Sequence, residues 1–414
     1  MDAAGGRHMD PTYSEEAEAF RVRIQTFLKE NLPDDWAGIG ALGRDEAHAF
    51  TLDWRQKLAA NGLLAPSWPT QYGGGGLSEL EQVILAEVFT KAGAPTGGSN
   101  DAFSIQMVGN TILQWGTDEQ KEQFLPRIIS GEDVWCQGYS EPDAGSDLGS
   151  LGCRAVLDGD EWVINGQKIW TSAGQLANWI FVLCRTDPDA PKHRGISFML
   201  CPMDQDGIEV RPIEMMSGDA DFNETFFTEA RTAKDNVIGE VNGGWAVAMT
   251  LLGYERGEAA ATTPVQFRSE WDKLAELAKE MGKNEDPVIR DRLAKLYCEV
   301  EIMRLMGMQT LTKFLGGGHP GPGESTFKLY WSEYHRRITE LALDILGPAA
   351  MTPDGIAMTS FGGDLPGAPN NAASWTGAFY NARAGTIYAG TSQVQRNIIG
   401  EMVLGLPKEP KPAK

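Results

Sequence analysis

The hydrophobic periodicity changes twice along the 414 residues, and these two changes constrain the fold more than any other feature. From about residue 14 to residue 131, apolar side chains recur every three to four positions, which is typical of amphipathic helices. Residues 136–238 instead alternate apolar and polar positions and are rich in β-branched and aromatic side chains. From Gly244 the helical period returns. The order helical, β, helical predicts an α+β chain that ends in a helix bundle.

The same pattern predicts individual elements. Four helices are expected in the first part, with a break in the last one at Gly116: Ala17–Leu32, Ala47–Asn61, Leu77–Ala92 and Thr111–Ile129. Turn signals are Asp158–Asp160 and Asn165–Gly166, on either side of the first strand. Five strands are expected in the middle: Glu161–Ile164, Trp179–Cys184, Ile196–Leu200, Ile208–Pro212 and Thr225–Phe227. Four further helices are expected after them: Trp245–Ala261, Pro287–Phe314, Ser325–Leu346 and Ser392–Val403. The domain boundaries we predict are 1–13 for a tag-like N-terminus, 14–135, 136–238, 239–406 and a tail at 407–414.

Composition and charge exclude several classes of protein. The chain has 36 Lys and Arg against 57 Asp and Glu, a formal charge of −21. So acidic a chain lacks the electrostatic footprint of a nucleic-acid binder and is repelled by anionic membranes. The five cysteines show no paired spacing, which favours a reducing, cytoplasmic location, and the five histidines lie too far apart in sequence for a zinc site. We expect no metal, no membrane span and no export signal.

Two segments near the start of the β region are dense in groups that bind ligands. Tyr139–Asp147 reads YSEPDAGSD and combines hydroxyls with turn formers. Lys168–Ser172 reads KIWTS and places a tryptophan beside two hydroxyls, which suits an aromatic ring system with polar edges. Taken alone, the first segment is equally compatible with a surface loop that binds no ligand. The second segment, taken alone, is more simply interpreted as a core tryptophan at the end of a strand.

Two later segments concern acid–base chemistry. Leu252–Arg256 reads LGYER and puts a carboxylate, Glu255, on an apolar helix. Thr386–Arg396 reads TIYAGTSQVQR and has the glycine and hydroxyl pattern of a loop that wraps a phosphate-bearing cofactor. A solvated glutamate on a helix is the simpler interpretation of Glu255 when that segment is taken alone, since Glu is a common helix former.

Together, the four segments in this order resemble the acyl-CoA dehydrogenase family, and the resemblance runs from about Ala17 to Leu406. Further similar pieces are Trp68–Gly74, Gly116–Lys121 and Trp135–Cys136. The resemblance implies an N-terminal α-helical domain, a middle β-barrel and a C-terminal four-helix bundle. It also implies FAD as cofactor, an acyl-CoA as substrate, and α,β-desaturation to a trans-2-enoyl-CoA. Electrons would pass to an electron-transfer flavoprotein, and the chain would form an oligomer, most simply a tetramer.

The resemblance also assigns roles to individual residues. Ser140 corresponds to a hydroxyl near the flavin pyrimidine edge, Trp170 to the residue that flanks the isoalloxazine, and Ser172 to the hydroxyl that meets flavin N5. Thr391 and Gln393 correspond to contacts with the FAD diphosphate, and Ser146 to a position that orients the thioester and pantetheine arm. The neighbours Tyr139 and Thr171 are assigned to the cofactor site. Arg256, Ala389 and Gly390 are assigned to the substrate site.

The catalytic base depends on what stands before Gly390. Many family members carry a glutamate there, but this chain has Ala389, which cannot accept a proton although its N–H can still bind the thioester carbonyl. In a second branch of the family, which includes isovaleryl-type and long-chain-type enzymes, the glutamate lies on the bundle helix before an arginine. Glu255 falls on that position, so we predict it as the base that removes the α proton. Glu258, one turn further, is the competing candidate.

Two departures from the family pattern leave alternatives open. The Arg-x-x-Phe-Gly run that contacts FAD has no counterpart in residues 277–286, and the Gln-x-x-Gly-Gly loop becomes Asp344–Pro348, in which a carboxylate would repel phosphate. Such losses are similar to those of actinobacterial heteromers that act on steroid side chains. The chain is therefore also compatible with a catalytically silent subunit of a heteromer, or with a relative that is an oxidase, hydroxylase or desulfinase. Gly253 and Gly257 indicate either a wide acyl pocket or close helix packing.

Overall fold

The computed structural model describes residues 14–257, 259–315, 321, 323, 325–355, 359–360 and 363–408. Within these ranges, the side chains of residues 44, 254–257, 259–261, 311, 314–315, 359–360 and 363–364 lie outside the description. Five helices form the first part: α1 (Glu15–Asn31), α2 (Arg44–Ala60), α3 (Glu79–Ala92), α4 (Asn110–Trp115) and α5 (Asp118–Ser130). The predicted break is confirmed, because α4 ends at Trp115 with Gly116 as its C-cap, and the Thr117 side chain caps α5 by accepting from the Gln120 N–H. Ala102–Gly109, which was not predicted, forms a π-helical segment.

The middle region is a sheet of eight strands, three more than predicted. They are β1 (Trp135–Gly138), β2 (Arg154–Asp158), β3 (Glu161–Ser172), β4 (Trp179–Arg185), β5 (Ile196–Pro202), β6 (Ile208–Ile213), β7 (Phe222–Ala233) and β8 (Val237–Ile238). The strand order is β6-β7-β3-β2-β4-β5-β8, and β1 pairs in parallel with β4. Of the six other strand pairs, five are antiparallel, and three of these join strands that are consecutive in the chain. The pair β2–β4 is parallel.

Helices return after β8, as predicted. They are α6 (Gly244–Gly257), α7 (Ala259–Glu280), α8 (Pro287–Leu315), α9 (Ser325–Leu346), α10 (Ala372–Ala384) and α11 (Ser392–Ile398), with a short β9–β10 pair at Thr359–Ser360 and Gly363–Asp364. The predicted end at Ala261 is wrong, because that position lies inside α7, which ends at Glu280. Phe267, Trp271, Leu274 and Ala278 recur at helical spacing and pack into the bundle core. Helix α10 was not predicted.

Two hydrophobic cores explain how these parts are joined. The first core combines the N-terminal helices, one face of the sheet and α6, with Trp54, Trp135, Phe198 and Leu251 among its fully buried members. The second lies between α7, α8, α9 and α10 and includes Leu274, Met303 and Tyr334. Helix α6 therefore packs with the sheet at its start and leads into the bundle at its end. None of the described helices is both long and apolar enough to cross a membrane.

Candidate functional site

The loop after β1 is tied to β3 by its backbone. Tyr139 is buried, with its ring edge-on to Phe181 and Phe198 at centroid distances of 6.0 and 6.4 Å. The next carbonyl, that of Ser140, accepts a hydrogen bond of 2.9 Å from the Ile169 N–H. The segments Tyr139–Asp147 and Lys168–Ser172, which 20 residues (148–167) separate in the sequence, are thus neighbours, as the resemblance implies.

A buried ion pair fixes this junction. Lys168 is fully buried, and its Nζ lies 2.7 Å from Glu141 Oε1 and 3.2 Å from the Tyr139 carbonyl oxygen. The Glu141 carboxylate also accepts from the N–H groups of Gly152 and Cys153, at 2.6 and 2.9 Å. Opposite charge and directed hydrogen bonds compensate the desolvation of both groups. No local pattern in the sequence distinguishes either residue, since the pair forms only when the loop folds onto β3.

Trp170 projects from an irregularity in β3. The pairing of β3 with β7 shifts register between Lys168 and Thr171, and Trp170 there has a φ of 62°. Its indole is 56% exposed and meets Phe222 edge-on at 6.0 Å. A bulky residue at positive φ is a genuine outlier, and such strain clusters at functional sites. The tryptophan therefore presents a broad apolar surface instead of filling the core.

Thr171 and Ser172 differ in what they can contact. Thr171 is fully buried, and its hydroxyl accepts from Thr225 Oγ1 at 3.0 Å, while its carbonyl accepts from Asn223 Nδ2 at 2.9 Å. The hydroxyl and the carbonyl of Thr171 are therefore both engaged inside the sheet. Ser172 is half-buried at the end of β3.

Ser146 lies exposed at the tip of the loop after β1. Its neighbour Asp147 pairs with Lys192 and accepts from the Ser150 hydroxyl. The Lys192 ammonium, followed by the Ser150 hydroxyl, holds the pKa of the Asp147 carboxyl below its usual range. The loop that carries Ser146 is thus anchored to the 186–195 turn as well as to β3.

The loop from Tyr388 to Thr391 has a strained backbone. Ala389 has a φ of 51° and Gly390 a φ of 85°. Left-handed geometry costs an L-residue such as alanine roughly 1–2 kcal/mol. Within the described residues, the Ala389 amide N–H donates no hydrogen bond, and the residue is exposed. A backbone donor is therefore available at the position where the resemblance places the thioester carbonyl.

Two buried side chains, Lys328 and Gln395, donate hydrogen bonds to the carbonyls of this loop. The sequence alone did not predict a role for either residue. Lys328 on α9 donates to the carbonyls of Gly385 and Gly390, and Gln395 on α11 donates to the Ala389 carbonyl. Thr391 caps α11 by accepting from the Val394 N–H at 3.1 Å, and Gln393 is exposed. The described contacts join this loop to α9 and α11, and they join the Ser140 and Trp170 segments to each other.

Glu255 and Arg256 lie in the last turn of α6, but their side chains are outside the described part of the chain, and Glu258 is outside it entirely. Position 255 follows the buried Leu251 by four residues and Val247 by eight, so helical periodicity groups the three along one face. Gly253 is exposed, and no described atom lies within 4 Å of where its Cβ would stand, which does not support close packing there.

Comparison with known proteins decides the family. The acyl-CoA dehydrogenase N-terminal domain matches residues 14–132, the middle domain matches 136–230 and the C-terminal domain matches 242–404. The chain belongs to the acyl-CoA dehydrogenase family. The resemblance seen in the sequence and the α+β fold with helical, sheet and helical domains are confirmed. Members are FAD-dependent oxidoreductases that act on CH–CH groups.

Individual relatives match along nearly their whole length. The chain is 41% identical over 403 residues to acyl-CoA dehydrogenase IpdE1 of Mycobacterium tuberculosis, covering 96% of this chain and all of the relative. The solved Tcur3481-Tcur3483 steroid ACAD is 32% identical with a TM-score of 0.78, covering 97% of this chain and 100% of that one. The ChsE4-ChsE5 complex from Mycobacterium tuberculosis is 30% identical with a TM-score of 0.76, at 97% and 100% coverage.

The residues of the acyl-CoA dehydrogenase site fit the isoalloxazine end of FAD better than its diphosphate end. Two buried side-chain atoms, Gln137 Nε2 and Asn223 Oδ1, have no hydrogen-bond partner among the described residues. Gln137 precedes the Ser140 segment in the chain, and Asn223 follows the Trp170 segment. Such orphaned groups suit the polar edge of a ring system. At the altered diphosphate loop, Asp344 instead pairs with Arg292 of α8 at 2.5 Å. That ion pair partly neutralises the carboxylate but supplies no amide donor.

Proposed function

We propose that this family member desaturates an acyl-CoA thioester between Cα and Cβ, forming a trans-2-enoyl-CoA and passing electrons to an electron-transfer flavoprotein. The observation that carries the proposal is the strained loop at Ala389, whose N–H donates no hydrogen bond within the described residues while its side chain lacks any basic group. An acyl-CoA site needs a donor for the thioester oxygen and a separate base for the α proton. The loop supplies the donor for the thioester oxygen. Because Ala389 cannot accept a proton, the base must lie elsewhere.

Glu255 is the base in this proposal. It stands at the end of α6, in helical register with Val247 and Leu251, whose burial shows which face of the helix is turned toward the sheet and the N-terminal helices. A carboxylate held there would take the α proton while the Ala389 N–H stabilises the negative charge that develops on the thioester oxygen. Arg256, Gly390 and Ser146 are proposed to hold the rest of the substrate.

Bound FAD would supply the acceptor for the hydride from Cβ. We propose that Trp170 covers one side of the ring system, while Tyr139, Ser140, Thr171 and Ser172 line its edge. Thr391 and Gln393 would approach the diphosphate. The exposure of Trp170 and the buried, unpaired amide of Gln137 support this placement.

We also propose a bulky acyl group, of the size of a steroid side-chain thioester, as the substrate. One structural relative is described as a steroid ACAD. No described atom lies within 4 Å of where a Cβ on Gly253 would stand, which is compatible with a wide acyl pocket. Domain boundaries near 135/136 and 238/239, a cytoplasmic location and an oligomeric state belong to the same proposal.

The test is an acyl-CoA panel assayed with an artificial electron acceptor. Wild type should turn over one class of thioester, and Glu255→Gln should lower kcat by at least about 10³-fold, because the amide cannot accept a proton. Glu258→Gln is the matched control and should retain activity within a few-fold. Equal turnover in Glu255→Gln and wild type would refute the base assignment. Adding Ala389→Glu to Glu255→Gln should restore part of the activity by returning a carboxylate to the loop.

Anaerobic mixing separates the reaction classes. A dehydrogenase should lose its flavin absorbance on adding the substrate and produce no peroxide when air returns. Stoichiometric peroxide would instead indicate an oxidase.

A second candidate is a silent subunit that completes a partner's flavin site. The Asp344–Arg292 pair in place of an amide donor favours it, and two of the matched structures are described as complexes or paired chains. In that case the purified chain would hold little FAD alone, and flavin content would rise on mixing with its partner, with no effect of Glu255→Gln.

A further inference from the structure

Lys328 places a buried ammonium directly behind the strained loop. Its side chain, on α9, is 8% exposed, and its Nζ lies 2.8 Å from the Gly385 carbonyl oxygen and 2.9 Å from that of Gly390. The same nitrogen lies 5.7 Å from the centroid of the Tyr388 ring. The ammonium thus donates hydrogen bonds to the carbonyls at both ends of the Gly385–Gly390 turn.

Gln395 completes the arrangement from α11. It is 1% exposed, and its Nε2 donates to the Ala389 carbonyl at 2.9 Å and to the Gly390 carbonyl at 3.3 Å. The fit is close, since a Cβ on Gly390 would lie 2.6 Å from that nitrogen. Two buried donors therefore hold two successive carbonyls of the loop.

Holding these carbonyls inward restricts the backbone that carries the Ala389 N–H. The peptide unit is planar, so fixing the Ala389 C=O fixes the next plane, which contains the Gly390 N–H. The Ala389 N–H belongs to the preceding Tyr388–Ala389 plane and is held through the backbone torsions of Ala389, which join the two planes. The positive φ of Ala389 persists only because the surroundings over-determine it. A donor aimed at a developing oxyanion is effective in proportion to how firmly it is held before the reaction.

We infer that Lys328, assisted by Gln395, is a positioning residue that holds the Ala389 N–H toward the thioester carbonyl. The inference rests on the proposed function and deepens it by naming what orients the oxyanion donor. Lys328 does not touch the substrate and acts only through the loop. A merely structural role would affect stability and leave carbonyl polarisation unchanged.

The experiment compares Lys328→Met with Lys295→Met, which removes an exposed lysine from α8. In the holoenzyme, with its partner chain if the two purify together, Lys328→Met should lower kcat by about 10- to 100-fold with KM changed by less than about threefold. Lys295→Met should match wild type in both. Unchanged kcat in Lys328→Met, in folded and flavin-loaded protein, would overturn the inference.

A second readout does not depend on turnover. In the Glu255→Gln background, the carbonyl stretch of a bound ¹³C-labelled thioester should lie below its value in water, because the Ala389 N–H donates to it. Lys328→Met should abolish at least half of that downshift while the thioester still binds. A full downshift in Lys328→Met overturns the inference. Absence of bleaching by every acyl-CoA in wild type instead refutes the proposed function.

If Lys328→Met does not fold, Gln395→Met decides by the same two measurements. It removes the donor to the Ala389 carbonyl without removing a charge. Loss of the downshift with retained binding supports the inference, and wild-type kcat and downshift refute it.

Discussion

At the scale of single residues, two buried lysines, Lys168 and Lys328, each have several polar partners. Lys168 has a carboxylate and a carbonyl, and Glu141 adds two backbone N–H groups to the lysine. Lys328 is surrounded by carbonyls and an aromatic ring. In both cases the buried ammonium holds a loop that carries proposed ligand-binding residues, so we interpret its role as fixing the conformation of that loop.

The Lys168–Glu141 pair yields a stability prediction. Lys168→Met leaves the Glu141 carboxylate buried without its cation, so we expect unfolding free energy to fall by about 3–5 kcal/mol. The matched control is Lys234→Met, which breaks an exposed pair with Asp160 on the same sheet and should cost at most about 1 kcal/mol. Denaturant unfolding measures both. A loss below about 1 kcal/mol in Lys168→Met would contradict the assigned role.

At the scale of elements, the π-helical segment Ala102–Gly109 shows how one close contact shapes a helix. A Cβ on Gly109 would lie 2.0 Å from Trp68 Cζ2, so the fully buried indole requires a glycine there. Trp68 also donates from its indole nitrogen to Asn110 Oδ1 at 2.9 Å. The wide helical turn and the missing side chain together make room for the ring.

Gly109→Ala should therefore destabilise the N-terminal helices. We expect a loss of about 1–3 kcal/mol or more, since the buried ring cannot move without disturbing the core. Gly145→Ala is the control, because no described atom lies within 4 Å of its Cβ position, and it should change stability by less than about 0.5 kcal/mol. Thermal unfolding followed by tryptophan fluorescence would report both. Equal midpoints for the two variants would contradict the steric account.

At the scale of the whole molecule, the first helical domain meets the C-terminal part through two loops in direct backbone contact. The Gly40 N–H donates to the Pro366 carbonyl at 2.7 Å, and a Cβ on Gly38 would lie 2.3 Å from the same oxygen. Gly38 has a φ of 117°, and Gly367 on the facing loop has a φ of 80°. The two segments approach this closely only because Gly38 and Gly367 have no side chain.

Gly38→Ala should loosen this junction. We expect a lower unfolding midpoint and faster proteolysis of the 33–43 segment, because the added methyl meets backbone that cannot rotate away. Gly218→Ala separates the two causes, since Gly218 also has a positive φ of 84° but no described atom within 4 Å of its Cβ position. It should show only the cost of the backbone strain, about 1 kcal/mol. Equal effects in the two variants would show that strain alone matters at Gly38.

Hydrophobic periodicity in the sequence determined the order of the helical and β parts and most of the helices, because it depends on residues close together in the chain. The family was recognised by the resemblance of four motifs in a fixed order. The same resemblance showed that Ala389 stands where many members carry a glutamate, and it proposed Glu255 as the replacement.

Only the tertiary structure decided which polar groups are buried and where the backbone is strained. Trp170 and Ala389 have a positive φ. Lys168 pairs with Glu141, and Lys328 donates to the carbonyls of Gly385 and Gly390, so each lysine joins residues on different elements. The physical reason is that desolvation and strain depend on which segments pack against each other. Spacing along the chain does not encode that, so a lysine buried behind a loop and a lysine in solvent look alike in the sequence.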